Sequence, residues 1–105
     1  MESSIMGALA DDGTATVSVR GEIDFSNADE LADCLRNAVT GWEPTLVRVD
    51  LSAATFIDST GLGALIFGFQ RARDAGIRFR LARPSRTVHQ TLVLSGLLEV
   101  VELTP

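Results

Sequence analysis

The chain has 105 residues and a net charge of −5, with 46% hydrophobic and 22% charged residues. That suits one domain over residues 1–105 that folds without disulfide or metal support, and it argues against disorder. The acidic balance offers no basic stripe to displace counterions from phosphates, so nucleic acid and anionic membrane surfaces are disfavoured and another protein is the expected partner.

Met1-Glu2-Ser3-Ser4 has neither the basic start nor the apolar run of a signal peptide. No apolar stretch approaches the ~18 residues that cross a bilayer, so a cytoplasmic location is expected. Ser3 to Leu9 reads as a short edge strand, and Asp11-Asp12-Gly13 as a tight turn, because Asp and Gly tolerate positive φ. From Thr14 to Arg20, Ala15, Val17 and Val19 alternate with Thr16, Ser18 and Arg20, the pattern of a half-buried strand. Gly21-Glu22-Ile23-Asp24-Phe25 leaves that strand, and Ser26 or Asn27 can cap the helix that follows. Leu31, Leu35, Ala38 and Val39 recur at helical spacing, and Gly41 stands where a C-terminal cap belongs. Cys34, the single cysteine, falls in that apolar stripe and reads as a buried, reduced thiol.

Pro44 precedes a strand over Leu46 to Leu51, with Val47, Val49 and Leu51 on one side. Ser52 to Ile57 is expected to be a loop. Asp58-Ser59-Thr60-Gly61 then opens a helix whose apolar stripe is Leu62, Leu65, Ile66, Phe69 and Ala72, and Gly76 stops it. Ile77, Phe79 and Leu81 alternate with Arg78 and Arg80 in the next strand. Pro84 and Ser85 open a third helix that ends near Ser95-Gly96, and Leu98 to Leu103 forms a last strand. The order β-β-α-β-α-β-α-β predicts an α/β fold with a mixed, mostly parallel sheet of about five strands packed with helices. Polar residues at Arg48, Asp50, Arg78 and Arg80 predict a sheet that is not covered on both faces.

Enzymatic chemistry lacks its parts. A serine nucleophile needs a base, and the only histidine, His89, lies far along the chain. Ile57 stands where a nucleophile elbow requires glycine. No phosphate-binding glycine loop with its lysine is present, and Cys and His are too few for zinc. No catalytic residue, metal site or cofactor is expected. What remains is the strand-to-helix corner at Asp58-Ser59-Thr60-Gly61, where helix N–H groups lie unpaired. Asp58 or Ser59 serves there as a cap, with Gly61 allowing tight packing, or the corner is a working site.

The longer context bears on that choice. Asp50-Leu51-Ser52, Phe56-Ile57-Asp58-Ser59-Thr60-Gly61-Leu62-Gly63, Gly21-Glu22-Ile23-Asp24 and Ser95-Gly96-Leu97 together resemble the signature of anti-sigma-factor antagonists of the STAS family, in order along essentially the whole chain. The resemblance implies the STAS fold and a partner-switching role. An unphosphorylated antagonist binds an anti-sigma factor that is also a serine kinase of the histidine-kinase-like ATPase class, which frees a sigma factor for transcription. Phosphorylation of the serine matching Ser59 releases the antagonist, and a PP2C-type phosphatase restores it. The partner-binding residues expected on this basis are Asp24, Asp58, Ser59, Thr60, Gly61, Gly63 and Phe67. Asp24 either braces the switch loop or touches the partner. Gly63, Phe67 and Gln70 lie off the core stripe, where Phe67 forms a binding patch if exposed or packs on a neighbouring helix. The alternative within the family is a scaffold subunit of a signalling or lipid-transport complex in which Ser59 is never phosphorylated.

Overall fold

The computed structural model describes residues 4–104. Its elements are β1 (Ser4–Leu9), β2 (Thr14–Ile23), α1 (Ala28–Gly41), β3 (Leu46–Ile57), α2 (Ser59–Asp74), β4 (Arg78–Ala82), α3 (Arg86–Ser95), a 3-10 turn (Leu97–Glu99) and β5 (Glu102–Thr104). The strands lie side by side in chain order, β1 antiparallel to β2 and every later pair parallel. The expected mixed α/β sheet with helical crossovers is therefore the observed one. Ser3, the first residue of the expected edge strand, lies outside the described residues.

The turn between β1 and β2 forms as its residues predict. Gly13 takes φ +89°, and the Asp12 carboxylate accepts from the Thr14 N–H at 2.9 Å. Ala15, Val17 and Val19 of β2, Val47, Val49 and Leu51 of β3, and Phe79 and Leu81 of β4 point into one core with Leu31, Leu35, Leu65, Val88 and Leu92 from the three helices. Each fully buried aliphatic side chain contributes about 1.5–3 kcal/mol relative to exposure. The helices are thereby held to one face of the sheet. The opposite face, with Ser18, Arg20, Arg48, Asp50, Arg78 and Arg80, stays open to solvent to varying degrees.

Five expectations require correction here. The second strand runs on to Ile23, and residues 52–57 are strand rather than loop. Their alternation is hidden by two register shifts, at Ser18/Arg20 and Gly21/Glu22, where β3 carries extra residues opposite β2. These bulges put Ala54 and Ile57 in the core although they are three residues apart. Gly41 is the last residue of α1 and not its cap; the cap is Trp42 in ordinary right-handed geometry, and the positive φ falls on Glu43. The expected strand over Leu98–Leu103 is a 3-10 turn followed by the three-residue β5, because Gly96 in left-handed geometry turns Leu97 into the core first. Cys34 is half-buried, its sulfur lying toward Gly7 of β1.

Candidate functional site

The parallel strands β2 and β3 end at the same level, Ile23 beside Ile57, so both of their following turns sit at one edge of the sheet. There the Asp58 N–H donates to the Ile23 carbonyl at 3.0 Å. Asp58 is the N-cap of α2: its carboxylate accepts from the Gly61 N–H at 2.9 Å and from the Thr60 hydroxyl at 2.6 Å. Those two hydrogen bonds, Thr60 first, with smaller help from the Thr60 and Phe25 N–H groups, outweigh burial and hold the Asp58 carboxyl below its ordinary range. The cap is thus a carboxylate at neutral pH.

The division of labour at the corner follows. Asp58 caps the helix and Ser59 does not. Ser59 is the first residue of α2, it is exposed, and its hydroxyl has no hydrogen-bond partner among the described residues. Thr60 is exposed but spends its hydroxyl on Asp58. Gly61 is buried, and a Cβ built there would lie 2.8 Å from both Ile23 Cγ2 and Ile57 Cγ1. The glycine is what lets the helix start against the strand ends. Gly63 is exposed with nothing within 4 Å of a Cβ position.

Asp24 is half-buried and heads the neighbouring turn. Its carboxylate accepts from both the N–H and the hydroxyl of Ser26, and its carbonyl accepts from the Ala28 N–H at 2.9 Å. Asn27, the N-cap of α1, is buried and turns its amide backward: Oδ1 accepts from the Asp24 N–H at 2.9 Å and Nδ2 donates to the Glu22 carbonyl at 2.8 Å. The loop from Glu22 to Ala28 is therefore rigidly laced, and Phe25 stands out of it with 81% exposure. It is a large apolar side chain beside the Asp58 cap that sequence reasoning passes over. An aromatic residue inside a turn of Asp, Ser and Asn is the available signal.

Along α2, Ser59, Leu62, Ile66, Phe69 and Arg73 follow one another at three- and four-residue steps, one side of a helix. Ile66, expected in the core stripe, is exposed, whereas Phe67 is half-buried. Ile66 lines an open groove of about 380 Å³ with Leu62, Phe69, Gly96, Leu97 and Val100. Its position seven residues after Ser59, two helical turns on, is the signal that could mark it. Gly68 packs in the opposite direction, where a Cβ would lie 2.5 Å from Leu35 Cδ1, and so sets how closely α1 and α2 approach. Among the described residues no three His, Cys, Asp or Glu side chains converge in a metal-binding group. His89 is exposed near Arg83, Pro84 and Leu103, away from this edge. No helix among the described residues is long and apolar enough to cross a membrane.

Comparison with known proteins agrees with this architecture. The STAS domain pattern matches residues 7–105. An anti-sigma-F factor antagonist of Mycobacterium tuberculosis is 30% identical over 95 residues, 90% of this chain and 76% of that protein. The crystal structure of an anti-sigma factor antagonist from Mycobacterium paratuberculosis superposes with a TM-score of 0.85 at 28% identity, covering 99% of this chain and 86% of that one. A sulfate transporter family protein from Wolinella succinogenes shares the fold, with a TM-score of 0.78 at 21% identity over 92% of this chain and 80% of that one.

Proposed function

This chain belongs to the STAS-domain family, and from that premise we propose that it is an anti-sigma-factor antagonist switched by phosphorylation of Ser59. In the unphosphorylated state it docks on an anti-sigma factor and frees a sigma factor for transcription. The anti-sigma factor is a serine kinase of the histidine-kinase-like ATPase class, and a PP2C-type phosphatase reverses the modification. The observation that carries the reading is the exposed hydroxyl of Ser59, without a hydrogen-bond partner among the described residues, beside an Asp58 carboxylate that is already committed to the cap.

The chemistry asked of this chain is small. The Ser59 oxygen attacks the γ-phosphorus of ATP held by the kinase, ADP departs, and the hydroxyl proton passes to a base of the kinase. A base on this side is unnecessary. Partner contact is assigned to Ser59, Thr60 and Gly63 at the start of α2, with Phe67 farther along it, and Asp24 bracing the adjoining loop. Asp58 and Gly61 set the shape of that surface from beneath. Exposed Phe25 and Ile66 add apolar area at its rim.

Phosphate adds about −1.5 to −2 charge. At a helix N-terminus that charge is locally tolerated, so the fold persists. The penalty falls on docking: sealing a dianion next to ionised Asp58 without a new cation costs on the order of 3–5 kcal/mol. Affinity then falls about a hundred-fold to several-thousand-fold. The test is incubation with candidate serine-kinase anti-sigma factors and ATP, followed by intact-mass and peptide mapping. Phosphate on Ser59 is the expected result. Stable binding with no phosphate transfer would instead indicate a scaffold subunit.

A further inference from the structure

We propose that the helix-free face of the sheet is a second docking surface, at which Arg48 and Arg80 hold a short acidic segment of a partner protein. This inference does not depend on the Ser59 switch. Arg48 of β3 and Arg80 of β4 are register partners on adjacent strands, with Thr16 and Glu102 on either side of them. Strands lie about 4.8 Å apart, so two guanidinium stems rise from neighbouring positions on one face. Like charges placed side by side repel, and both side chains sink far enough for their Nε atoms to be buried without an acceptor among the described residues. A buried donor left unpaired is a cost that the fold alone does not explain.

The nearby anions are already committed. Asp50 pairs with Arg83 at 2.6 Å, and Glu102 pairs with Arg78 at 2.9 Å. Arg80 donates to the Thr104 hydroxyl at 3.1 Å and senses the Glu102 charge beside it, but makes no ion pair of its own among the described residues. Asp12, at the β1–β2 turn, senses the Arg48 charge but spends its carboxylate on the Thr14 N–H. Arg20, exposed on the same face, has no ion-pair partner among the described residues. Five of the nine arginines thus gather here, against Asp50 and Glu102 within the sheet and Asp12 and Glu22 at its ends, which leaves four to face the other ten acidic residues of the chain.

Charge complementarity selects the occupant. Guanidinium groups bind carboxylates by paired, charge-assisted hydrogen bonds. The basic area spans only three or four strands, roughly 15 Å. A long polyanion or an anionic membrane would overrun it and meet the acidic remainder, whereas a short run of Glu or Asp would not.

The experiment titrates the full chain, isotopically labelled, with a Glu-rich peptide of about ten residues, and reads the arginine Nε–Hε resonances by NMR. A peptide with Gln for Glu, a single-stranded RNA of equal length, anionic phosphatidylglycerol vesicles and inorganic phosphate are run in parallel. The Arg48 and Arg80 resonances should shift with the acidic peptide alone. The R48Q/R80Q variant should bind it about tenfold more weakly, while R71Q/R73Q, on the far end of α2, should bind as the parent does. The proposal is overturned if those resonances stay still in the parent protein, if both variants lose affinity equally, or if phosphate alone reproduces the shifts. Tighter binding of RNA or vesicles than of peptide would also overturn it.

Discussion

The backbone N–H of Asp58 donates to the carbonyl oxygen of Ile23 across 3.0 Å, joining the residue that follows β3 to the last residue of β2. This one bond places the first turn of α2 beside the Asp24 loop and presents Ser59 outward at the sheet edge. The rest of the corner is steric: Gly61 lies against Ile23 and Ile57 with no room for a side chain.

The glycines of α2 separate packing from binding. Gly68→Ala should destabilise by ~1–2 kcal/mol, since the added Cβ meets Leu35 Cδ1 at 2.5 Å and its Cβ at 3.0 Å. Gly63→Ala meets nothing and should stabilise by ~0.5–1 kcal/mol through reduced chain entropy. Chemical denaturation of both variants checks the pair. If Gly63 lies at the docking surface, its alanine variant should also bind an anti-sigma factor more weakly despite the stability gain.

Ser59→Ala should keep the parent's affinity for the anti-sigma factor, and Ser59→Asp should lose it by tenfold or more. Both should keep the parent's melting temperature, because the Ser59 hydroxyl supports no hydrogen bond among the described residues. Calorimetric titration against the purified partner measures the first quantity and thermal unfolding the second. Undiminished binding by the Ser59→Asp variant would refute a charge-based switch.

Stability should fall on the acid side. Asp58 is held below its ordinary value by the Thr60 hydroxyl and the Gly61 N–H. Glu102 is held down by Arg78, and Asp12 by Thr14. For Asp50, burial raises the pKa but the Ser52 N–H and hydroxyl and the Arg83 guanidinium overcome it. A depressed carboxyl pKa contributes stability that is present above the unfolded value and lost as pH falls through the folded one. With ordinary values of 3.8 for Asp and 4.5 for Glu102, the loss should set in below about pH 4.5. Asp58→Asn should be less stable at neutral pH and show a shallower acid decline. Urea unfolding at a series of pH values reads both.

Cys34 should react slowly with thiol reagents. Partial burial, and then the nearby Glu30 carboxylate, raise its pKa, so the nucleophilic thiolate is scarce at neutral pH. Alkylation of the native protein should run about tenfold or more slower than of the urea-unfolded chain. Glu30→Gln should speed the native reaction modestly.

The elements of this fold are legible where local chemistry acts alone. Alternation marks Ala15, Val17 and Val19, the Ser85 hydroxyl caps α3 through the Val88 N–H, and Gly96 ends it at φ +78°. The Asp58-Ser59 corner is visible for the same reason, though which of the two residues caps the helix is not. Residues 52–57 defeat such a reading because two bulges, defined only by the neighbouring strand, break their period.

By itself the sequence determined the order of strands and helices, the core-facing residues of β2, of β4 and of β3 as far as Leu51, and the corner that carries Ser59, since all of these depend on residues within a few positions of one another. Only the tertiary structure decided that Asp58 reaches Ile23, that Ile66 is exposed while Phe67 is half-buried, and that Arg48 stands beside Arg80. Those relationships join residues far apart along the chain, and strand register and helix docking, which no local pattern encodes, bring them together.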